Sequence, residues 1–203
     1  MTKLSDILDY EQPTKYIVDN DLYDDSYEIP VLTAGQTFIL GYTNEKENIF
    51  DATKDNVIIF DDFTTSVQFV DFKFKVKSSA MKILHAKENV NIKFCYYLLK
   101  TMQYENPTHK RYWISEFSQK EIKLPSLEKQ NKIVSKMSEI EKGINNCSDN
   151  VVDLQKAISS KFYEMFGSKL NDKGWDVKKL SSVAEFHNGK AHEQVVDENG
   201  KYI

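Results

Sequence analysis

Apolar residues recur at heptad spacing through the second half of this chain. Between Ile133 and Ile158 the steps alternate between four and three residues without interruption. A stripe with that period is typical of a helix that packs lengthwise against another helix. A helix of ~40 residues would be roughly 60 Å long, so one small domain cannot cover it. The stripe therefore predicts a helix-pairing interface made of Ile133, Met137, Ile140, Ile144, Val151, Leu154 and Ile158, with Cys147 as a small apolar residue among them.

Capping residues mark both ends of the predicted helix. Ser126 suits the N-cap, and Gly167 suits the position just beyond the last turn. Gly143 and the pair Asn145–Asn146 weaken the middle, which leaves a helical hairpin folded there as an alternative. Because the heptad phase continues across this stretch, we favour one continuous helix over 126–167.

Residues 1–125 have the pattern of a compact α+β domain. Short β-rich runs, several of them alternating, are separated by polar turns and predict a twisted, mixed β-sheet. Asn91 suits the N-cap of a helix that packs with it. The expected strands cover 29–32, 38–40, 57–60, 67–70, 72–76, 82–85 and 121–124, and the expected helix covers 91–104.

The segment after Gly167 predicts the beginning of a second domain. A polar linker leads to Lys179-Leu-Ser-Ser-Val183, which repeats the pattern of Lys3-Leu-Ser-Asp-Ile7 near the start of the chain. The remaining ~25 residues are too few for an independent core. We therefore expect three parts: a globular domain over 1–125, a spacer and pairing helix over 126–167, and a linker with an incomplete second domain over 168–203.

Three short motifs are distributed along these parts. They are Tyr27-Glu-Ile-Pro-Val-Leu-Thr33, Ile122-Lys-Leu-Pro-Ser-Leu-Glu-Lys-Gln130, and Met165-Phe-Gly167 ahead of Trp175. Together they resemble the DNA-specificity subunit of type I restriction-modification systems. The resemblance implies that residues 1–125 form a target recognition domain, which reads one half of a bipartite sequence in double-stranded DNA. It also implies recruitment of methyltransferase and restriction subunits, with no catalytic centre in this chain.

The same resemblance implies an assembly. Subunits of this family alternate two recognition domains with two long helices, and the helices pack antiparallel to fix the distance between the domains. This chain is about half the usual length, so it is expected to be a truncated or half-length subunit. Its long helix would then pair between two chains. A two-fold homodimer of this kind favours an interrupted palindrome as its target.

Charge is distributed unevenly along the chain. The net charge is −4 overall, but residues 1–72 hold 4 Lys+Arg against 15 Asp+Glu, and residues 73–123 hold 11 against 4. The basic segment predicts an anionic partner. Mutual neutralisation of the two segments within one domain explains the numbers equally well, and the sequence leaves both interpretations open.

Several loop and strand residues are candidates for contacts with DNA. A turn after the strand at 57–60 carries hydroxyls, and alternate lysines share one face of the strand at 72–76. A basic, aromatic patch lies in a loop after the helix, where Lys110 and Arg111 suit phosphate and Arg111 also suits guanine. Trp113, in the same patch, is expected in the core. The predicted DNA-binding residues are Thr64, Thr65, Ser66, Lys73, Lys75, Lys77, Lys110, Arg111 and Tyr112.

Motifs for catalysis are absent from the sequence. It contains no Asn/Asp-Pro-Pro-Tyr/Phe methyltransferase motif, no glycine-rich cofactor loop, no Walker loop and no HExxH. A weaker alternative is a magnesium-dependent nuclease, in which Asp62 and Asp71 hold the ion and Lys73 assists the attacking water. We predict no catalytic residue, no metal and no cofactor.

The remaining features concern the cellular setting and a second class of function. The N-terminus has no apolar signal region, no run approaches the ~20 residues of a membrane span, and two cysteines are too few for a disulfide framework. These features fit a reducing cytoplasm. A coiled-coil protein-interaction adaptor with a small α/β head remains the alternative to a DNA-binding subunit.

Overall fold

The structure is a computed structural model, and it describes residues 1–33, 37–103, 111–167, 174, 176, 178–185 and 187. The chain divides into two compact units, Met1–Lys142 and Gly143–Ile203. Within the described ranges, no helix combines the length and the apolar character that crossing a membrane requires.

The first unit contains all the strands of the described residues, and most are short. The helices are α1 (Leu4–Ile7), α2 (Ile92–Thr101), α3 (Tyr112–Ser115) and α4 (Leu127–Phe166), and 3-10 turns lie at Pro13–Tyr16, Phe117–Gln119 and Leu180–Ser182. The strands are β1 (Thr2–Lys3), β2 (Leu8–Glu11), β3 (Ile29–Leu32), β4 (Ile39–Thr43), β5 (Phe50–Asp51), β6 (Val57–Asp61), β7 (Val67–Val70), β8 (Lys73–Val76), β9 (Met81–Ala86) and β10 (Glu121–Ile122).

The strands form two four-stranded sheets and one small ribbon. The first sheet has the order β2-β9-β6-β7 and is antiparallel throughout. The second has the order β4-β3-β8-β5 and is mixed, because β3 runs parallel to β8. The ribbon pairs β1 with β10. The predicted α+β class with a mixed sheet is confirmed, and the strands are divided between two main sheets.

Strand β6 lies between two hydrophobic cores. Ile58 and Phe60 point into a cluster shared with α1, α2 and α3, whereas Val57 and Ile59 point into a cluster shared with the second sheet. Alternate residues of a strand face opposite sides. A strand that is covered on both sides needs apolar residues at every position, which explains the uninterrupted run at 57–60.

Most predicted elements of the first domain are present. Asn91 caps α2 as expected, since its side chain accepts hydrogen bonds from the N–H groups of Lys93 and Phe94. The prediction of a loop at Tyr112 was wrong, because this residue begins α3. Strand β1 has no local signal in the sequence, since its two residues are ordered by pairing with β10 at the far end of the domain.

Helix α4 is continuous from Leu127 to Phe166, as the heptad phase predicted. The space around Gly143 is open, so the glycine reflects no close packing at that point. Gly167 has a positive φ of 90° and donates its N–H to the carbonyl of Tyr163. Gly167 therefore caps the C-terminal end of α4.

The N-terminal part of α4 packs against the first domain. Gln130 is buried, and Val134 and Met137 pack against the cluster around α2. These residues and Glu141 follow one another at steps of four, three and four, so they lie on one face of the helix. Met137, one of the predicted pairing residues, is therefore half-buried against its own domain.

The other predicted pairing residues lie on an adjacent face and are exposed. At 3.6 residues per turn, the stripe that begins at Ile133 is rotated by roughly a quarter-turn from the face that packs on the domain. We call this surface the apolar stripe. Its exposed members are Ile133, Ile140, Ile144, Val151, Leu154 and Ile158.

Candidate nucleic-acid interface

The turn between β6 and β7 gives different exposure to the three hydroxyl residues that were predicted to contact DNA. Asp61 accepts hydrogen bonds from the N–H groups of Phe63 and Thr64 and from the Thr64 hydroxyl. Thr64 is exposed and Ser66 is half-buried. Thr65 has a left-handed φ of 60° and is fully buried, because it closes the turn against the carbonyl of Asp61. A direct contact between Thr65 and DNA is therefore incompatible with its position.

Asp62 joins this turn to the segment that begins at Arg111. Its carbonyl accepts the N–H of Tyr112 at 2.9 Å, and its Oδ1 accepts the N–H of Trp113 at 2.8 Å. Two segments that are fifty residues apart in sequence are thereby held side by side. Exposed Thr64 and exposed Arg111 flank this junction, which brings two of the predicted contact groups into one region of the surface.

A buried ion pair between Asp62 and Lys82 stabilises this junction. Lys82 Nζ lies 3.0 Å from Asp62 Oδ2, and both side chains are almost fully buried. The ammonium group does not reach good hydrogen-bond geometry with any described residue, so the contact is ionic in character. Such a charge is tolerated in a core only because its partner is present. Sequence reasoning missed this structural role of Asp62.

The carboxylates of the nuclease hypothesis do not form a site. Both oxygens of Asp62 are engaged in the contacts above, while Asp71 is exposed on the segment between β7 and β8. Among the described residues, no group of three His, Cys, Asp or Glu side chains is placed to share a metal ion.

The basic, aromatic patch divides into exposed and buried parts. Arg111 is exposed at the start of α3, whereas Lys110 lies outside the described residues. Tyr112 is 2% exposed and therefore cannot stack on a base. Trp113 is in the core, as predicted, with its ring 5.2 Å from that of Phe60.

The predicted lysine stripe on β8 is interrupted. The side chains of Lys73 and Lys77 are 54% and 37% exposed, but that of Lys75 is only 1% exposed. Lys75 forms an ion pair with Glu45 and donates to the carbonyl of Glu47 at 3.0 Å. The loop after β4 therefore covers the middle of the stripe, and Lys75 is unavailable to a phosphate.

Glu45 is the centre of a local network. Burial alone would raise its pKa, but the hydrogen bonds from Lys75 and from the N–H groups of Asp19 and Asn20 outweigh burial. The pKa of Glu45 therefore lies below its ordinary value of 4.5. A carboxylate that stays ionised keeps the buried Lys75 compensated.

Ion pairs between the acidic and basic segments account for much of the charge asymmetry. Every lysine and histidine from Lys73 to Lys87 lies within 4 Å of a carboxylate from residues 1–72. The ion pairs therefore favour neutralisation of the two segments within the domain, and they argue against a broad basic surface on residues 73–87. The pairs are Lys73–Asp51, Lys75–Glu45, Lys77–Asp21, Lys82–Asp62, His85–Glu11 and Lys87–Asp9.

Comparison with known families agrees with this fold. The family model for the type I restriction modification DNA specificity domain matches residues 1–152. The match covers most of the chain, so the chain belongs to this family and the resemblance noted in the sequence is confirmed.

A curated relative is similar in sequence over a large part of the chain. The specificity subunit of the type I restriction enzyme EcoR124I/EcoR124II of Escherichia coli is 51% identical over 141 residues. The matched region is 68% of this chain and 35% of that subunit, so this chain aligns with about a third of the relative's length.

Two solved structures share the fold at low sequence identity. The S subunit of a type I restriction-modification system from M. genitalium superposes with a TM-score of 0.62 at 16% identity, covering 85% of this chain and 46% of that one. A chain from a study of complex assembly and conformational transition of the type I R-M system gives 0.55 at 12% identity, covering 78% and 42%.

Proposed function

We propose that this chain is the DNA-reading half of a type I specificity subunit, in which residues 1–125 bind double-stranded DNA and read one half of a bipartite target. Family membership supports the proposal. The observation that carries it is the junction at Asp62, which fixes the exposed Thr64 turn beside exposed Arg111. A surface that reads bases needs hydrogen-bond donors held by a rigid scaffold.

Arg111, Thr64 and Ser66 are the proposed base or backbone contacts of this junction. Lys73 and Lys77 are the members of the predicted β8 stripe that remain at the surface. Lys110, next to Arg111 in sequence, keeps its predicted role in holding phosphate. Thr65, Lys75 and Tyr112 act by supporting the backbone, because all three are buried.

Selection of duplexes from a randomised pool, followed by gel shifts at low salt, tests the proposal. Arg111→Ala should relax the preference at one base position and weaken binding to the selected duplex by about 1–3 kcal/mol. Lys123→Ala, also exposed but on the separate segment that follows β10, is the control. If the wild-type chain binds no duplex, alone or with its modification subunit, the proposed function is wrong.

The assembly we propose is a homodimer through α4, which serves as the spacer and dimerisation helix over 126–167. The exposed apolar stripe supports it, since a row of isoleucine, valine and leucine side chains in water favours a partner helix. A two-fold pair of chains would read an interrupted palindrome. Because dimerisation follows mass action, light scattering that finds only monomer at concentrations of tens of micromolar would exclude this assembly.

Residues 168–203 are the proposed start of a second recognition domain. Lys3 and Lys179 both have extended backbone and both lead into a helical turn, α1 in one copy and Leu180–Ser182 in the other. Leu4 is fully buried in its copy, whereas Leu180 is 65% exposed. The similar local conformation supports the repeat that the sequence indicated. Most of 168–203 lies outside the described residues.

The chain is proposed to act without chemistry of its own, by recruiting methyltransferase and restriction subunits to the target. The engagement of Asp62 in the fold supports this role over that of a nuclease. Incubation of the purified chain with DNA and Mg²⁺ should leave the duplex intact. Cleavage that Asp62→Ala abolishes, in a variant that still folds, would instead establish the nuclease.

A further inference from the structure

An open groove on the first domain brings together lysines from three separate segments. Lys15 comes from the 3-10 turn after β2, Lys46 from the loop after β4, and Lys73 from the start of β8. The groove measures about 600 Å³. Only Lys73 was predicted as a DNA contact, so this convergence could not be read from the sequence.

In the described part of the chain, two of these lysines lack the ion pairs that the lysines from Lys73 to Lys87 form. Among the described residues, no carboxylate oxygen lies within 4.0 Å of Lys15 Nζ or Lys46 Nζ, whereas every lysine from Lys73 to Lys87 has one. Both side chains are exposed. Two lysines of the acidic N-terminal segment are therefore uncompensated within the described residues, which the segment totals did not indicate.

Among the described residues that line the groove, Asp51 is the only one with a carboxylate, and that carboxylate is already engaged. Asp51 Oδ1 accepts hydrogen bonds from the N–H and the hydroxyl of Thr53, and Oδ2 lies 3.6 Å from Lys73 Nζ. The hydrogen bonds from Thr53, with Lys73 and Lys54 nearby, hold the pKa of Asp51 below its ordinary value. Three ammonium groups thus face one carboxylate, and the groove has a positive balance.

The walls of the groove are fixed by buried contacts. Lys75 binds the side chain of Glu45 and the carbonyl of Glu47, so it clamps the residues on both sides of Lys46. Two of the lining residues are aromatic and pack together, with the ring of Tyr16 edge-on to that of Phe50 and 5.0 Å between the ring centroids. A positive groove on a rigid base is suited to a charged, repeating ligand.

We propose that Lys15, Lys46 and Lys73 hold phosphates of the DNA backbone in this groove, as a contact that positions the duplex without reading its sequence. The inference rests on the proposed DNA-binding function. Lysine is a point charge that suits phosphate, and phosphate contacts fix register and orientation while carrying no base information. Lys75 is a positioning residue, because it acts on phosphate only through the placement of Lys46.

A salt series with a duplex of random sequence tests the groove. Lys15→Gln, Lys46→Gln and Lys73→Gln, combined in the chain of 203 residues, should weaken binding by roughly tenfold or more at low salt. The slope of log affinity against log salt should fall by about 0.9 for each phosphate that the variant no longer neutralises, over roughly 50 to 200 mM salt. The control carries the same charge change at exposed positions outside the groove: Lys100→Gln, Lys123→Gln and Lys136→Gln.

The choice of duplex separates this inference from the proposed function. On a selected target and on a scrambled duplex, the groove variant should lose affinity by the same factor, so the ratio of the two affinities is unchanged. If the wild type binds and the groove variant keeps both its affinity and its salt slope, the groove inference is wrong while the function stands. A loss confined to the selected target also overturns it. If the wild type binds no DNA, both fail. Circular dichroism of the variants confirms that they fold.

Discussion

Asp62 holds together the parts of the surface that we propose for DNA. It receives two backbone N–H groups from α3 and compensates the buried ammonium of Lys82. A buried charge that loses its partner costs far more than the pair contributes while intact. Asp62 is therefore expected to matter first for stability, and through stability for the placement of Arg111.

Removing the Asp62 carboxylate should destabilise the first domain strongly. We expect Asp62→Ala to lower the free energy of unfolding by about 3–5 kcal/mol, because Lys82 stays buried without compensation. The double variant Asp62→Ala with Lys82→Met should recover part of that loss, since no charge then remains in the core. Urea denaturation measures both. A single variant that loses less than about 1 kcal/mol would show that the pair is not buried as described.

The network around Glu45 predicts a dependence of stability on pH. Its pKa is lowered in the folded state, so its contribution is complete above the ordinary pKa of 4.5 and is lost as the pH falls through the lower folded value. The difference in unfolding free energy between wild type and Glu45→Gln should therefore be constant near neutral pH and shrink in acid. Urea midpoints measured across that range test this. A difference that grows in acid would contradict the direction of the shift.

At the scale of single elements, the start of α4 is tied to the domain by polar contacts as well as by packing. Gln130 accepts the N–H of Asn91 at 2.8 Å and donates to the carbonyl of Pro125 at 2.9 Å. Further along, the hydroxyl of Tyr97 donates to Glu141 at 2.7 Å. The same helix thus has a polar clamp onto α2 on one face and the apolar stripe on another.

Gln130→Leu should weaken this junction. The substitution leaves one N–H and one carbonyl without partners near a buried site, and each such group costs about 1–3 kcal/mol. Lys129→Leu changes the neighbouring exposed position and should stay within about 0.5 kcal/mol of wild type. Urea denaturation distinguishes the two variants. Equal stabilities would mean that apolar packing by Val134 and Met137 suffices to hold the helix.

Elements with strong local signals were the predictable part of this fold. The heptad phase of α4, the buried run of β6 and the cap at Asn91 are all written in neighbouring residues. The burial of Lys75 has no such local signal, because its partner Glu45 lies thirty residues earlier in the chain, in the loop after β4. Alternation assigned Lys75 to a face correctly, but nothing local indicates which loop covers that face.

At the scale of the whole molecule, the distribution of charge along the sequence does not locate a binding surface until the ion pairs of the folded domain are known. Segment totals left two interpretations of residues 73–123 open, and the ion pairs with residues 1–72 neutralise much of that segment. The positive groove is assembled instead from Lys15 and Lys46 of the acidic segment together with Lys73. Electrostatic complementarity to a ligand depends on which charges remain unpaired, and this is a property of the tertiary structure.

The apolar stripe gives the last prediction. Ile144 is 59% exposed, and in a two-fold dimer each chain would bury its own copy. Ile144→Lys should weaken dimerisation by roughly 1.5–3 kcal/mol for each copy, because the apolar side chain is lost and a charge enters the interface. Asn146→Lys adds the same charge on the opposite face of α4 and should leave the dimer intact. Analytical ultracentrifugation measures the dimer dissociation constant of each variant. If the two substitutions act equally, the helix does not pair through this stripe, and any dimer must form through another surface.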